Sequence, residues 1–298
     1  MPDINYFQVD NKVEKIIKEK GLIVMESKKA WEMFKWCRKY FDKKPKEGYF
    51  AWIKRQPACP IFTCVTIATK NVSQDLRNLV VIEPNLKVNV LGVCSAKKRR
   101  LQGTHKAIGK MILKEGVTVN YNHLHKWGEK DNVVPSYTFF MEKNSSLIYN
   151  YKNLFPPKNL KIETHIVMKE NASANLKIVT NARNSNVNIT DNVELLGENS
   201  NAIVRLRIVG RENSKVNAVS RILAKGAGKG HLDCQGLLIS KNASIKLTPE
   251  LIDENKKAIL THEASIGKVA DEQINYLRTR GLSEKEAIDM IVNGFLGK

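Results

Sequence analysis

A repeated motif of about 14 residues is the feature of this sequence that most restricts its fold. Short segments carry an asparagine, then a small residue, then alternating strand-forming residues, as in KNSSLIY at 143, ENASANL at 170 and RNSNVNI at 183. The successive asparagines are separated by 27, 13, 15, 14 and 29 residues, which is close to one or two units each time. They are Asn144, Asn171, Asn184, Asn199, Asn213 and Asn242.

The physical reading of the repeat is a stack of short strands joined by tight turns. Asparagine tolerates the positive φ angle that such turns require, and Gly116 replaces it in the related segment EGVTVNY. A unit of this size cannot bury its apolar face alone, so successive units must stack. The repeat therefore predicts a mainly β fold, a right-handed parallel β-helix (β-solenoid), over residues 78–260. A sandwich or barrel is the usual alternative for a β-rich chain, and six copies in register argue against it.

The two ends of the chain show helical patterns. Apolar side chains between Val9 and Ile17 are spaced as on a helix that stops at Gly21, and a second helix is expected to begin with Ser27 as its N-cap. With the connecting segment, these helices predict an N-terminal unit over residues 1–77.

The C-terminal region, residues 261–298, predicts a helical hairpin. Ser283 and Glu286 form a capping box, apolar residues follow at helical spacing, and Gly281 separates the two helices. The hairpin suits either a cap on the solenoid or a docking surface for a partner.

Bulk composition restricts the class of protein. Hydrophobic residues make up 42% of the 298 and charged residues 27%, which is ordinary for a soluble chain. No signal peptide or apolar membrane span is recognisable, so we expect a cytoplasmic protein with its five cysteines reduced. The net charge of +19 suits nucleic acid, an acidic protein or an anionic membrane, and does not choose among them. Since no catalytic motif is present, an enzyme acting alone is not predicted.

Three residues near the end of the repeat region are candidate metal ligands. Cys234 precedes His262 and Glu263 by 28 and 29 residues, which is about two repeat units. In a stacked solenoid this spacing returns the chain to the same lateral position, where thiolate, imidazole and carboxylate would converge. Thiolate is the preferred ligand of iron-sulfur clusters. The alternative is that Cys234 packs as a small hydrophobe and His262 hydrogen-bonds in a turn.

Other possible ligands have weaker patterns. Cys59 and Cys64 have a spacing found in some metal sites, but no second pair follows, which argues against a zinc knuckle. His123 and His125 would share one strand face and could bind a metal, although such pairs often do not. Of the remaining cysteines, Cys37 is expected in a packed helix and Cys94 in a strand.

The run Lys97–Arg100 is the sharpest basic cluster in the sequence. It indicates either a nucleic-acid surface or a solvated loop between strands. No aromatic residues for base stacking interleave with it, which argues against nucleic acid as a partner.

With these residues assembled, the sequence resembles the SufB/SufD family, scaffold proteins of the SUF iron-sulfur cluster assembly system. The resemblance covers about residues 55–298 and is most specific in GHLDCQGLLIS at 230–240, PELI at 249–252 and the segment from THEASIGK to VNGF at 261–295. It implies a β-helix core that pairs with a second copy, and C-terminal helices that dock onto SufC, an ABC-type ATPase. The ATPase activity would belong to that partner.

The resemblance also implies roles for individual residues. Cys234 and Glu263 match positions of SufB associated with cluster assembly, and His262 matches an interface residue of SufD. A homodimer of this chain would then supply both halves of a site for a transient iron-sulfur cluster, with a sulfur donor and apoprotein acceptors as further partners. Trp127 matches the QNW stretch of the family, whereas His125 replaces its glutamine. Two alternatives stay open: a basic solenoid that binds nucleic acid, and a purely structural partner of the ATPase.

Overall fold

Stacked parallel strands make up most of the chain, whose structure, a computed structural model, describes residues 4–17 and 19–297. In chain order the strands are β1 (Tyr6–Val9), β2 (Lys12–Ile16), β3 (Leu22–Glu26), β4 (Tyr49–Ile53), β5 (Ile61–Ile67), β6 (Ser73–Ile82), β7 (Lys87–Ala96), β8 (Thr104–Leu113), β9 (Thr118–Lys126), β10 (Asn132–Met141), β11 (Ser146–Phe155), β12 (Asn159–Met168), β13 (Ser173–Arg183), β14 (Asn186–Leu195), β15 (Asn201–Arg211), β16 (Lys215–Ala224), β17 (Lys229–Leu238), β18 (Ser244–Asp253) and β19 (Ile259–Lys268). The helices are α1 (Ser27–Met33), a 3₁₀ helix (Lys35–Tyr40), α2 (Asp271–Thr279) and α3 (Glu284–Leu296).

Consecutive strands from β4 onward alternate between two sheets. One sheet has the order β19-β17-β15-β13-β11-β9-β7-β5-β1-β2 and the other the order β18-β16-β14-β12-β10-β8-β6-β4-β3. Each strand therefore pairs in parallel with the second strand along the chain, as Ser146 does with Ser173 and Ser173 with Asn201. One coil contains two strands, which explains why the sequence repeat is half a coil. The predicted mainly β solenoid is confirmed, and its handedness stays a prediction.

Alternation along each strand builds the core between the two sheets. In β11, Leu147, Tyr149 and Tyr151 are buried, whereas Ile148, which lies between two of them, is exposed. Each large side chain buried in this way contributes about 1.5–3 kcal/mol to stability. The core is thus a continuous column that runs the length of the solenoid.

The repeat asparagines lie at the corners of the coils. Asn144, Asn171, Asn184 and Asn199 have positive φ angles as predicted, and so does Gly116. Side-chain amides also stack from coil to coil, since Nδ2 of Asn171 donates to Oδ1 of Asn144 at 3.1 Å.

At the corner of the fifth repeat the turn is shifted by one residue. Glu212 has the positive φ angle, 55°, at this corner. Asn213 and Asn242, which are both described, do not have positive φ angles. Asn213 instead extends the amide stack, since its side chain donates to Asn184 at 3.2 Å and accepts from Asn242 at 3.4 Å.

The predicted first helix is wrong. Residues 6–9 and 12–16 form an antiparallel hairpin, β1–β2, and β1 pairs in parallel with β5. The second predicted helix exists but is short: Glu26 is the N-cap, and the hydroxyl of Ser27 donates to the carbonyl of Arg77 instead of capping the helix. Cys37 is buried in the 3₁₀ helix.

The C-terminal hairpin has the predicted form over residues 271–296, whereas residues 261–268, which the prediction placed with it, belong to strand β19 because they pair with β17. The Ser283 hydroxyl accepts from the backbone N–H of Glu286, whose carboxylate accepts from the Ser283 backbone at 2.9 Å. The predicted division of the chain at residues 77 and 260 stays a prediction, although ladder strands lie on both sides of each boundary. None of the helices in the described part of the chain is long and apolar enough to span a membrane.

Candidate functional site

The predicted ligands Cys234 and His262 lie on neighbouring strands at the C-terminal end of the solenoid. Strand β17 carries Cys234, and the edge strand β19 carries His262. In their ladder Leu232 lies opposite His262, and Cys234 opposite Ala264. Because alternate residues of a strand share one face, Cys234 and His262 project from the same side of the sheet. Cys234 is buried and His262 is exposed, since β19 belongs to the last coil.

Glu263 projects from the opposite face of β19, because it directly follows His262 along the strand. Its register partner is Asp233, and its carboxylate lies 3.8 Å from Nε2 of His231. Asp233 in turn accepts two hydrogen bonds from the Arg207 guanidinium, at 2.9 and 2.6 Å. Within one chain, Cys234 and His262 therefore share a face, and Glu263 joins a charged group on the other side. The assignment of the three as site residues stays a prediction.

A polar group of side chains lies inside the solenoid beside Cys234. The hydroxyl of Ser220 donates to the carboxyl of Asp191 at 3.3 Å, and it partly offsets the effect of burial on the pKa of the Cys234 thiol. Burial raises the pKa of Cys234 to about 11, so that the thiol is protonated at neutral pH. Burial also raises the pKa of Asp191 to about 7. Thiolate chemistry at Cys234 therefore requires removal of a proton inside the core.

A second group of ligand atoms lies in the interior of earlier coils. Cys94 on β7 faces His123 and His125 on β9, with Sγ 3.6 Å from Nε2 of His123 and the two Nε2 atoms 3.1 Å apart. All three ligand atoms lie within 4.8 Å of one another, and among the described residues no other group of three does so. The expectation that the two histidines share a strand face is confirmed by their burial. The thiol was not predicted beside them, although Cys94 precedes them by about one coil.

Hydrogen bonds determine the proton positions on the two imidazoles. The indole N–H of Trp127 can only donate, and it donates to Nδ1 of His125 at 3.1 Å. His125 therefore carries its proton on Nε2 and donates it to Nε2 of His123. His123 must then carry its proton on Nδ1 and donate to the hydroxyl of Tyr149 at 3.1 Å. The result is a directed chain of neutral groups.

The surroundings keep these groups uncharged. Burial lowers the pKa of His123 to about 3 and lowers that of His125 well below its usual value. Burial likewise raises the pKa of the Cys94 thiol far above its ordinary range. His105, whose ring lies 4.7 Å from that of Trp127, accompanies them, and its buried Nε2 has no hydrogen-bond partner in the described structure.

The remaining predicted positions do not join either group. Cys59 is exposed, and Cys64 is half-buried with Sγ 3.7 Å from the hydroxyl of Thr66. Lys97–Arg100 form an exposed turn after β7, in which Arg100 pairs with Glu129 at 3.0 Å. This agrees with the solvated-loop interpretation, and nucleic-acid binding stays an untested alternative.

The fold and the ligand types together define a class of protein: a β-solenoid that carries thiol, imidazole and carboxylate groups, which are ligands for iron and its sulfide clusters. The family model for the SufBD core domain of SUF system FeS cluster assembly matches residues 65–295. The chain belongs to the SufBD family, as its resemblance predicted, and this membership supports a role in iron-sulfur cluster assembly.

Curated relatives agree with this placement. An iron-sulfur cluster assembly SufBD family protein of Archaeoglobus fulgidus is 30% identical over 297 residues, which is 93% of this chain and 79% of the relative. One of the same description from Methanothermobacter thermautotrophicus is 29% identical over 84% of this chain and 62% of the relative. The iron-sulfur cluster assembly protein SufB of Bacillus subtilis is 24% identical over 80% of this chain and 52% of its own length. The chain thus spans about half to four fifths of these relatives.

Proposed function

We propose that this chain is a non-enzymatic scaffold of the SUF system, on which iron and sulfide are assembled into a cluster at Cys234, His262 and Glu263. Family membership supports the general role. The observation that carries the site is that Cys234 and His262 share one face of neighbouring strands at the open end of the solenoid. A thiol and an imidazole at such a position can hold iron, and exposure on one side allows the cluster to leave.

In the proposed assembly a second copy covers this end. Strands β18 and β19 are the edges of the two sheets, where unpaired backbone groups favour addition of another strand. Large apolar side chains are exposed there, with Ile259 56% and Ile266 44% accessible. A homodimer would bury these side chains and bring two sets of ligands to one seam.

The C-terminal hairpin is the proposed docking site for a SufC-type ATPase. Val292 and Leu296 of α3 pack on Val179 and Val209 of the solenoid, which fixes one side of the hairpin. The other side leaves Tyr276 60% exposed, and Met290 is also largely exposed. These apolar side chains on a helical hairpin suit a protein partner.

The same hairpin provides a mechanical connection to Cys234. Leu237, three residues after Cys234 on β17, packs against the cluster that contains Val292 and Leu296. Movement of α3 by an ATPase would therefore act on β17. In the proposed cycle this movement opens the core beside Cys234, lowers the desolvation that keeps the thiol protonated and allows a thiolate ligand to form. The sulfur donor and apoprotein acceptors then supply sulfide and remove the cluster.

Anaerobic reconstitution with ferrous iron and sulfide tests the site. We expect Cys234→Ala and His262→Ala to reduce bound iron and sulfide per chain and the visible absorbance of the cluster. Cys59→Ala, which removes an exposed thiol far from β17 in sequence, is the matched control and should load like the wild type. Equal loading of Cys234→Ala and the control contradicts the site assignment.

Docking is tested separately with the full-length chain. The double variant Tyr276→Ala, Met290→Ala should lose co-purification with a SufC-type ATPase while it keeps reconstituted iron. Phe155→Ala removes a comparably exposed aromatic side chain on β11 and serves as the control. If the hairpin variant still binds the ATPase like the control, the proposed docking surface is wrong.

A further inference from the structure

We propose that Cys94, His123 and His125 form a second metal site, which binds one divalent first-row transition ion such as Zn²⁺ inside the solenoid. This site is separate from the proposed assembly site, since it lies on β7 and β9 and Cys234 lies on β17. One thiolate and two imidazoles are a ligand set that such borderline ions bind well, and three protein ligands leave one position open.

Two of the three distances between the ligand atoms match one tetrahedral ion, and the third, from Sγ of Cys94 to the ligand nitrogen of His125, is no more than 4.8 Å. Bonds of about 2.3 Å to sulfur and about 2.05 Å to nitrogen, at a tetrahedral angle, separate sulfur from nitrogen by about 3.6 Å and two nitrogens by about 3.3 Å. The observed separations are 3.6 Å from Sγ of Cys94 to Nε2 of His123 and 3.1 Å between the two Nε2 atoms. Ion binding therefore needs only small side-chain movements.

The surrounding hydroxyl groups suit the liganded form. His123 already carries its proton on Nδ1, where Tyr149 accepts it, so its Nε2 lone pair is available to an ion. Ligation through Nε2 of His125 moves that proton to Nδ1, from which it is donated to the hydroxyl of Tyr151, 2.8 Å away. The indole N–H of Trp127 then loses its acceptor on His125. The new bond between the ion and Nε2 of His125 must offset the loss of that hydrogen bond.

Binding also releases a proton. The ion forms bonds to the Cys94 sulfur and to the two Nε2 atoms, and the thiol proton leaves to solvent. The thiolate neutralises one of the two charges of the ion, and water or a small anion fills the fourth position. Since Cys94, His123 and His125 are all buried, we expect the ion to enter while the chain folds or opens.

The test uses the full chain produced in defined medium with cobalt as the only added transition ion, so that loading occurs during folding. Cobalt reports on its ligands through visible bands of tetrahedral ions and through a sulfur-to-cobalt charge-transfer band. We expect about one cobalt per chain and a charge-transfer band in the wild type and in Cys234→Ala. Cys94→Ser should lose the band, and His123→Gln should lose most of the cobalt.

Cys64→Ser is the matched control, because Cys64 lies on β5, beside β7, and outside the group. If Cys94→Ser does not fold, X-ray absorption on the cobalt-loaded wild type still tests the proposal. It should show one sulfur at about 2.3 Å and nitrogen neighbours at about 2.0 Å from the ion. The proposal is wrong if the wild type holds no cobalt, if its cobalt has no sulfur neighbour, or if a folded Cys94→Ser keeps the band. None of these outcomes depends on cluster assembly at Cys234. The Cys234→Ala variant lacks the thiol of the assembly site, so cobalt bound by this variant reports on the second site alone.

Discussion

The Sγ atom of Cys94 lies 3.6 Å from Nε2 of His123, although 29 positions separate the two residues along the chain. Their strands are adjacent in one sheet, where Gly92 is the register partner of His123. A Cβ atom at Gly92 would lie 2.7 Å from the Tyr121 hydroxyl and 3.0 Å from Cδ2 of His123. The close packing of the interior rings therefore depends on the missing side chain at residue 92.

We expect Gly92→Ala to destabilise the protein by about 1–3 kcal/mol, because an added methyl group overpacks the core. The free energy of unfolding, measured by chemical denaturation, checks this. Gly267→Ala on β19 is the control, since its nearest contact atom would be 4.0 Å away. A loss of stability no larger than that of the control would contradict the prediction.

Asp191 is expected to make stability depend on pH. Its pKa is raised by burial from 3.8 to about 7, so the folded state holds a proton that the unfolded state releases above pH 3.8. Stability therefore falls as pH rises from about 4 to about 7, by on the order of 4 kcal/mol, and then levels off. Asp191→Asn should remove this dependence. Relative to the wild type, the variant should therefore be more stable at pH 8 than it is at pH 4. Thermal unfolding of the variant and of Asp253→Asn, an exposed control, across that range measures the effect, and parallel curves for Asp191→Asn and the wild type would refute it.

Cys234 and Glu263 are expected to contribute unequally to cluster loading. Glu263 lies on the face of β19 away from Cys234 and beside His231, so its carboxylate is less well placed for a site on the interior face. Glu263→Gln should reduce reconstituted iron by a smaller factor than Cys234→Ala. Iron and sulfide counting on both variants measures the difference. A loss with Glu263→Gln as large as with Cys234→Ala would show that the carboxylate reaches the cluster directly.

The attachment of α3 is expected to depend on Leu296. This side chain is buried against Val179 and Val209, and its truncation to alanine removes about 2–5 kcal/mol of packing. Leu296→Ala should therefore loosen α3, which is also held by Val292 and by the ion pair between Arg211 and Asp289 at 3.0 Å, while the solenoid stays folded. Hydrogen exchange of α3 amides should then be much faster, with β13 and β15 still protected. Met290→Ala, at an exposed position of the same helix, should leave exchange unchanged, and equal exchange in both variants would contradict the prediction.

The sequence by itself determined the solenoid and the C-terminal helix boundary. The turn asparagines, the alternation within each unit and the Ser283–Glu286 capping box act over a few residues, so their patterns are visible without the fold. The N-terminal hairpin was not predictable in this way. Its apolar residues fit a helical spacing, but β1 pairs with β5, more than fifty residues away, and the ladder hydrogen bonds favour a strand.

Tertiary structure alone decided which ligands meet. The separation of His262 from Glu263 follows from the strand at 259–268, where adjacent residues face opposite sides. The meeting of Cys94 with His123 and His125 depends on coil length and register, which are set by stacking over whole coils. Strand register in the stacked coils therefore decides which side chains meet from one coil to the next. The motif that forms each coil depends only on the local sequence.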